Sequence, residues 1–219
     1  MMNVLLFGAT GMVGQGVLRE CLNDPDVRQV VAVGRSASGQ RHQKLKEVVA
    51  PDLMDLSRYA SQLTGFDACF FCLGVSALGM TEDRYSRVTY DLTLSVAHTL
   101  GRLNPNVTFI YVSGQGTDST ERGRVMWARV KGKTENALLA LPIKAYMFRP
   151  GAIIPLHGIR SRTRWYNAIY AITRPVFPAL KKILPDAVTT TAQMGKAMIA
   201  VARSGSSMRV LETPDINKR

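Results

Sequence analysis

The stretch Asn3-Val4-Leu5-Leu6-Phe7-Gly8-Ala9-Thr10-Gly11-Met12-Val13-Gly14 decides the fold. Residues 3–7 form a short apolar run that stops at Gly8, as expected of a buried strand. From Met12 to Asn23 the apolar residues recur on one helical face, with Val13, Val17 and Cys21 four apart. A glycine-rich turn between a buried strand and an amphipathic helix is typical of a nucleotide-binding α/β protein.

The three glycines of this turn have the spacing G-x-x-G-x-x-G. Gly8 suits the tight turn, Gly11 allows backbone to approach a pyrophosphate, and Gly14 allows the helix to pack closely on the sheet. The amide groups and positive dipole of the helix N-terminus attract phosphate. A structural turn in a cofactor-free protein would use the same glycines, but the strand before and the helix after favour nucleotide binding.

Strand-like runs alternate with helical patterns further along the chain. The runs lack the regular polar alternation of a sheet with one wet face, so they indicate a parallel sheet covered by helices on both faces. We therefore predict an α/β, Rossmann-type, doubly wound parallel sheet with a small C-terminal helical extension. The predicted strands are 3–7, 29–33, 47–50, 67–73, 107–113 and 144–148, and the predicted helices are 12–23, 55–63, 82–100 and 122–141.

A length of 219 residues suits one domain. We expect residues 1–219 to form a single NAD(P)-binding domain with its core at about 3–154. Residues 155–219 are then a basic extension that completes the pocket, with a helix at 191–202 and a short strand at 208–211.

Positive charge is concentrated in one part of the chain. The 28 Lys and Arg exceed the 16 Asp and Glu by 12, and there is no acid from Asn136 to Pro185. A basic surface there could meet phosphate, nucleic acid or an anionic membrane, and solubility explains it equally well. We expect no nucleic-acid partner, while a peripheral membrane or acidic protein partner for residues 144–182 stays open.

Cysteine content and hydropathy bear on the compartment. Three cysteines exclude a disulfide framework. The N-terminus lacks the basic region of a secretory signal, and no apolar run reaches the roughly 18 residues of a membrane span. These features predict a cytoplasmic protein. We expect no metal site, because His42, His98 and His157 are scattered without ligand spacing.

The end of the second strand bears on the choice of cofactor. NAD-preferring sites have an acid there for the ribose 2′-hydroxyl. Here the strand ends Val33-Gly34-Arg35-Ser36, and no acid occurs from Val27 to Lys46. Arg35 could pair with a 2′-phosphate, which predicts NADP with NAD as the second possibility. A solvated loop arginine is the alternative.

These motifs together resemble the atypical group of short-chain dehydrogenase/reductases, in the branch typified by the Tat-interacting protein. The resemblance implies a Rossmann fold that binds NADP(H) or NAD(H). By the resemblance, Thr10, Met12 and Val13 join the glycines at the cofactor, Asp52 and Leu53 lie near the adenine, Leu73 and Gly74 pass the ribose, and Pro150 and Ile153 border the nicotinamide. It rests on Gly8–Gly14, Gly34-Arg35, Cys72-Leu73-Gly74, Val112-Ser113, Val130-Lys131-Gly132 and Arg149-Pro150-Gly151.

The family's reductive chemistry uses a tyrosine proton donor four residues before a lysine, assisted by a serine. Ser113 and Lys131 match the serine and the lysine as candidate catalytic residues, but Trp127 stands at the tyrosine position. An indole N–H donates a hydrogen bond and is not a usable acid. Lys131 could therefore hold ribose hydroxyls while no residue delivers a proton. Tyr85, Tyr90 and Tyr111 are possible substitutes, although packing explains each of them better.

Two functions from different classes remain. The first is an NADP-dependent oxidoreductase that acts on a small carbonyl or sugar-like substrate, with the cofactor supplying the reactive centre. The second is a catalytically weak or inactive nucleotide-binding sensor or scaffold. Ser113 and Lys131 favour the first function, and Trp127 favours the second.

Overall fold

The computed structural model describes residues 1–159 and 186–219. Within these ranges a seven-stranded parallel sheet has the order β3-β2-β1-β4-β5-β6-β9, and β7 pairs with β8 in a separate parallel ladder. The strands are β1 (Met2–Phe7), β2 (Val27–Gly34), β3 (Leu45–Val49), β4 (Ala68–Phe71), β5 (Thr108–Val112), β6 (Lys144–Arg149), β7 (Ala152–Ile154), β8 (Val188–Thr190) and β9 (Val210–Glu212).

Helices connect most of these strands. A 3₁₀ turn at Ser57–Gln62 lies between β3 and β4, and a π-helical turn at Arg87–Asp91 joins α2 to α3. The described α-helices are α1 (Met12–Asn23), α2 (Glu82–Ser86), α3 (Leu92–Leu103), α4 (Met126–Leu139), α5 (Thr191–Ser204) and α6 (Thr213–Asn217).

The sheet separates two apolar layers. On one face, α1 and α5 pack together, and their buried side chains meet Val4, Phe70 and Phe148 of the sheet. On the other face, α3 and α4 cover a stack of aromatic rings that includes Phe71 and Phe109. Burial of every central strand on both faces explains why their sequences show no polar alternation.

Strand order fixes where a ligand can bind. The chain moves outward from β1 to β2 and β3, and then returns to place β4 on the other side of β1. The loops that leave β1 and β4 therefore part toward opposite faces, which opens a crevice at the carboxyl ends of the two strands. The prediction of a Rossmann-type parallel sheet is confirmed.

Two predicted helices differ in the structure. The segment 55–63 is a 3₁₀ turn rather than an α-helix. The helix predicted from residue 122 begins at Met126, because the Asp118 carboxylate holds the preceding residues in a loop. Its oxygens accept hydrogen bonds from the backbone N–H groups of Thr120 at 3.0 Å and Gly123 at 2.6 Å. Satisfied backbone donors stabilise this loop in place of another helical turn.

The part predicted as an extension contributes to the core. Strand β9 forms an edge of the main sheet, and Met194, Met198 and Val201 of α5 are fully buried against it and α1. The basic and aromatic stretch at 160–184, on which most of the predicted membrane or protein contact rests, lies outside the described residues. In the described part of the chain, no helix is long and apolar enough to cross a membrane.

Candidate cofactor and active site

Gly8 forms the floor of the crevice. Its φ of +85° lies in the left-handed region, which favours glycine. A Cβ at this position would lie 2.8 Å from the carbonyl carbon of Cys72, which follows β4. The turn after β1 and the turn after β4 can therefore approach this closely only if residue 8 has no side chain.

Gly14 allows the first turn of α1 to sit directly on the same loop. A Cβ at Gly14 would lie 2.0 Å from the carbonyl oxygen of Gly8. Gly11 is the N-cap of α1, without a side-chain cap, and its N–H donates to the Gly8 oxygen at 2.9 Å. No acidic residue lies in the first turn of α1. The positive end of the helix thus faces the crevice without an opposing side-chain charge.

A first pocket lies between the glycine loop and the ends of β2 and β3. It contains the predicted cofactor residues Gly8, Thr10, Arg35, Leu53 and Leu73. Asp52 does not line this pocket: its carboxylate accepts a hydrogen bond from the N–H of Met54 at 2.8 Å. Other lining residues are Ala9, Ala32, Val33, Gly34, Ser36, Ser38, Glu47, Val48 and Val49.

Glu47 is a lining residue of the first pocket that the sequence does not single out. It comes from β3 rather than from the end of β2, where an acid is normally sought. Its Oε1 accepts a hydrogen bond from the N–H of Ser38 at 2.6 Å, so the loop after β2 folds back onto it. The exposed Arg35 and the half-buried Glu47 therefore place opposite charges around one pocket.

A second, larger cleft of about 630 Å³ opens on the other side of the glycine loop. It brings together the loop, the ends of β4, β5 and β6, and helix α4. Leu73 lines both spaces, so the first pocket and the cleft adjoin. The cleft is lined by Gly11, Met12, Val13, Cys72, Leu73, Gly74, Val112, Ser113, Gly114, Gln115, Trp127, Lys131, Pro150, Gly151 and Ile153.

Helix α4 presents three functional candidates on one face. Trp127, Lys131 and Glu135 are spaced four residues apart, so they lie one above another along the helix. Trp127 is half-buried and lines the cleft. The Lys131 Nζ donates a hydrogen bond to the carbonyl oxygen of Ser113. Burial lowers the pKa of Lys131 to about 8, against the opposing effect of the Glu135 carboxylate.

Glu135 is the centre of a buried polar network and is 1% exposed. Its carboxylate accepts from the Arg149 Nε at 3.1 Å on each oxygen and from the Arg149 Nη2 at 2.5 Å. It also accepts from the Oγ of Ser113 at 2.5 Å. Arg149 extends the network to Ser119 and Glu212. Ser113 is the donor in its bond to Glu135, because both carboxylate oxygens already accept hydrogen bonds from Arg149.

The three tyrosines considered as substitute acids do not line the cleft. Tyr111 and Tyr85 are 1% and 2% exposed. Burial raises the pKa of both hydroxyls, and for Tyr111 this is the largest of several causes that act in the same direction. Tyr90 packs beneath the ammonium of Lys133, 4.6 Å from the ring centre. All three positions are consistent with packing roles.

The parallel sheet, the glycine turn after β1 and the crevice at the switch point define a Rossmann-fold dinucleotide-binding protein. The sequence model of the NAD dependent epimerase/dehydratase family matches residues 4–120, more than half of the chain. The chain therefore belongs to this family, and its resemblance to the atypical short-chain dehydrogenase/reductases is confirmed. A nicotinamide dinucleotide is the cofactor type that this family uses.

Individual relatives agree with this assignment. The mitochondrial protein fmp52 of Emericella nidulans is 30% identical over 181 residues, which cover 77% of this chain and 73% of that protein. Protein HTATIP2 of Rattus norvegicus is 27% identical over 156 residues, covering 69% and 63% respectively. The Bordetella bronchiseptica enzyme WbmF, solved in complex with NAD⁺, superposes with a TM-score of 0.69. The two sequences are 15% identical, and the match covers 99% of this chain and 76% of WbmF. At this level of identity the match supports the fold alone.

The predicted cytoplasmic location is contradicted by these comparisons. The fungal relatives, including those of Emericella nidulans and Saccharomyces cerevisiae, are named as mitochondrial proteins. The prediction was wrong because it relied on cysteine content, apolar run length and the lack of a secretory-signal pattern, and none of these features distinguishes the cytoplasm from a mitochondrion.

Proposed function

We infer that this protein is an NADP-binding oxidoreductase that acts on a small carbonyl or sugar-like substrate. One observation carries the inference: a pocket containing Arg35 and a cleft containing Ser113 and Lys131 adjoin at Leu73 across the glycine loop. A dinucleotide needs two such spaces, one for each nucleoside, with its pyrophosphate between them at a helix N-terminus.

The residues present fit such a cofactor. The cradle between Gly8 and Cys72 exists only because residue 8 has no Cβ, and the N-terminus of α1 carries no acid that would repel phosphate. Gly8, Thr10 and Leu53 would hold the adenosine part, and Met12, Val13, Gly74, Pro150 and Ile153 would enclose the nicotinamide part. When bound, the nicotinamide supplies or accepts a hydride.

Arg35 supports NADP over NAD. Its guanidinium matches the planar, bidentate geometry of a phosphate, and no acid follows β2 directly. Glu47 acts in the opposite direction because its carboxylate faces the same pocket. Since the backbone N–H of Ser38 already binds one oxygen of Glu47, part of that charge is offset, and we propose that Arg35 dominates.

The side chains of the cleft suit recognition of a polar substrate. The Lys131 ammonium offers N–H donors, and Ser113, which gives its proton to Glu135, offers a lone pair to a hydroxyl group. The indole of Trp127 adds an apolar wall against which a carbon skeleton can pack. These features favour a small molecule that carries both a carbonyl or hydroxyl group and an apolar face.

A nucleotide-binding sensor or scaffold is the second candidate. Trp127 favours it, because no tyrosine within residues 1–159 and 186–219 lines the cleft. Calorimetric titration of the wild-type protein with NADP and NAD, followed by NADPH oxidation against a panel of aldehydes and ketones, separates the possibilities. We expect tighter binding of NADP and measurable reduction. Binding without reduction would favour the scaffold, and failure to bind either nucleotide would refute both functions.

A further inference from the structure

The cleft contains few described side chains that could give a proton to a substrate. Ser113, Cys72, Trp127, Gln115 and Lys131 carry O–H, S–H or N–H groups along it. The indole of Trp127 and the amide of Gln115 donate hydrogen bonds but do not release protons near neutral pH. The hydroxyl, the thiol and the ammonium remain.

Ser113 directs its proton away from the cleft. Its Oγ lies 2.5 Å from Glu135 Oε1 and 3.1 Å from the carbonyl oxygen of Phe148, and both of these atoms are acceptors. A serine hydroxyl has one proton, so its remaining lone pairs face the cleft. Ser113 can accept a hydrogen bond from a substrate hydroxyl, but its proton is already engaged when a carbonyl oxygen needs one.

Cys72 is a poor match for proton transfer. Burial raises the pKa of its thiol to about 12. General acids are most effective when their pKa lies near the working pH, because they must hold the proton before transfer and release it readily. A thiol in this state holds its proton too tightly for that role.

Lys131 meets both requirements of position and acidity. An ammonium has three N–H groups, and the carbonyl oxygen of Ser113 accepts from one of them. The side chain lines the cleft one helical turn from Trp127, and burial lowers its pKa to about 8. The same helix position that contacts ribose in the family therefore has a proton that it can release near neutral pH.

Within the described residues, the acids of α4 and α2 nearest to Lys131 are bound by other partners. Glu135, one turn further along α4, is bound by Arg149 of β6 and by Ser113. Glu82 of α2, which packs against α4, pairs with Arg129 at 2.6 Å. Cys72 is the titratable group at the end of β4 on the same cleft.

We propose that Lys131 is itself the proton donor for carbonyl reduction, in the role that Trp127 cannot fill. This proposal rests on the oxidoreductase function proposed above. The carbonyl carbon takes a hydride from the reduced nicotinamide while its oxygen takes a proton from Lys131 Nζ, which gives an alcohol and a neutral amine. The amine then regains a proton from solvent, and the reverse sequence oxidises an alcohol.

The first test measures the amine without relying on turnover. The full-length protein saturated with NADP is labelled with trace acetic anhydride between pH 6 and 11, and modification of each lysine is quantified by mass spectrometry. Labelling of Lys131 should rise with a midpoint near pH 8, with the exposed Lys133 of the same helix as the internal reference. A Lys131 midpoint above pH 10 would overturn the proposal.

The second test separates proton donation from charge. Lys131→Arg keeps the cation but holds its protons permanently. Relative to wild type, kcat/KM with NADPH and the best substrate of the aldehyde and ketone panel should fall about 10²–10⁴-fold. The Kd for NADPH should change less than about threefold, since the cation and its donors remain. Lys133→Arg is the matched control and should keep wild-type activity.

Wild-type reduction should also weaken above about pH 8 as Lys131 loses its proton. An unchanged kcat/KM in Lys131→Arg, or a larger loss in Cys72→Ala than in Lys131→Arg, would overturn the proposal. Tight NADPH binding with no reduction of any panel substrate would overturn the oxidoreductase function on which the proposal rests and would favour the scaffold. Failure of wild type to bind either NADP or NAD would refute both proposed functions.

Discussion

The glycine loop and the part of helix α4 that lines the cleft, here called the α4 wall (Trp127 and Lys131), are stabilised in different ways. The loop relies on backbone: Gly8 and Gly14 bring β1, β4 and α1 to distances that a single Cβ would prevent. The α4 wall relies on buried charge: Glu135 binds Arg149 and the Ser113 hydroxyl, and Lys131 binds the Ser113 carbonyl oxygen. The glycine loop is therefore held by contacts between backbone atoms, whereas the α4 wall depends on contacts between charged and polar side chains.

The difference agrees with the role that we propose for each region. A phosphate is bound well by N–H groups that are fixed in direction, and close backbone contact fixes them. A proton transfer needs a group whose pKa lies near the working pH, and burial lowers the pKa of Lys131 toward that range. We therefore expect substitutions in the loop to act through steric overlap and substitutions at the α4 wall to act through uncompensated charge.

The largest effect should come from Glu135→Gln. The amide leaves the buried end of Arg149 without its counter-charge, and breaking one side of a buried ion pair costs about 3–5 kcal/mol of unfolding free energy. Glu212→Gln is the matched control, because Glu212 binds the same arginine at 3.4 Å from a side chain that is 44% exposed. The unfolding free energy of Glu212→Gln should fall by less than about 1 kcal/mol. Urea unfolding of both variants measures the two losses. Equal losses of unfolding free energy would show that burial does not determine how much each ion pair stabilises the fold.

Gly14→Ala should have the next largest effect. Alanine is favoured over glycine in a helix by about 1 kcal/mol, but here its Cβ would lie 2.0 Å from the Gly8 oxygen. Such overpacking should lower the unfolding free energy by about 1–3 kcal/mol and weaken nucleotide binding at least about tenfold. Gly74→Ala serves as the stability control, since no heavy atom lies within 4 Å of its added Cβ. Thermal unfolding with and without NADP would contradict the steric account if the two variants behaved alike.

Arg35→Asp tests the effect of a charged side chain in the pocket beside the glycine loop. We expect NADP affinity to fall about tenfold, which corresponds to about 1.4 kcal/mol, while NAD affinity stays nearly constant. Glu47→Gln should have the opposite sign and raise NADP affinity about two- to threefold, because it removes a like charge from the same pocket. Calorimetry with both nucleotides measures the two effects. Parallel changes for NADP and NAD in either variant would contradict a role in selectivity.

The last prediction concerns the pH dependence of stability. The unfolded chain holds the Lys131 proton up to the ordinary pKa of 10.5, whereas the folded chain holds it only up to about 8. Because the unfolded state binds more protons between these values, this lysine makes unfolding free energy rise from pH 8 to 10.5. Lys131→Gln should lack that rise, with a difference of about 1 kcal/mol since the side chain is only half-buried. Identical pH profiles for the two proteins would exclude the shift.

The structure of the glycine loop could be predicted from the sequence because the residues that determine it are close together in the chain. The turn from Phe7 to Gly14 lies within one strand and one helix, and periodicity alone bounds α1 at Met12 and Asn23. The parallel sheet follows from apolar strands without polar alternation. Periodicity did not predict strands β7 and β8, because three-residue strands such as Val188–Thr190 are too short to show a period.

The contacts of the α4 wall could be predicted only in part, because they join residues that are far apart in the sequence. The spacing of Trp127 and Lys131 is visible in one helix, but nothing in the sequence pairs Glu135 with Arg149 or turns the Ser113 hydroxyl toward it. The continued four-residue spacing to Glu135 was the available signal. Glu47 was missed for a related reason, since β3 brings it beside Arg35 only through strand pairing.

Helix α1, whose N-terminus faces the crevice, has its buried face covered by α5. Val17 and Cys21 share one core with Met194 and Met198, so a helix is completed by another that is synthesised much later in the chain. Such distant pairing slows folding, because the entropy of closing a long loop must be offset before the contacts form. The apolar face of α1 therefore stays exposed until α5 has been synthesised, and the crevice at the start of α1 is stabilised late in folding rather than when its own residues have been made.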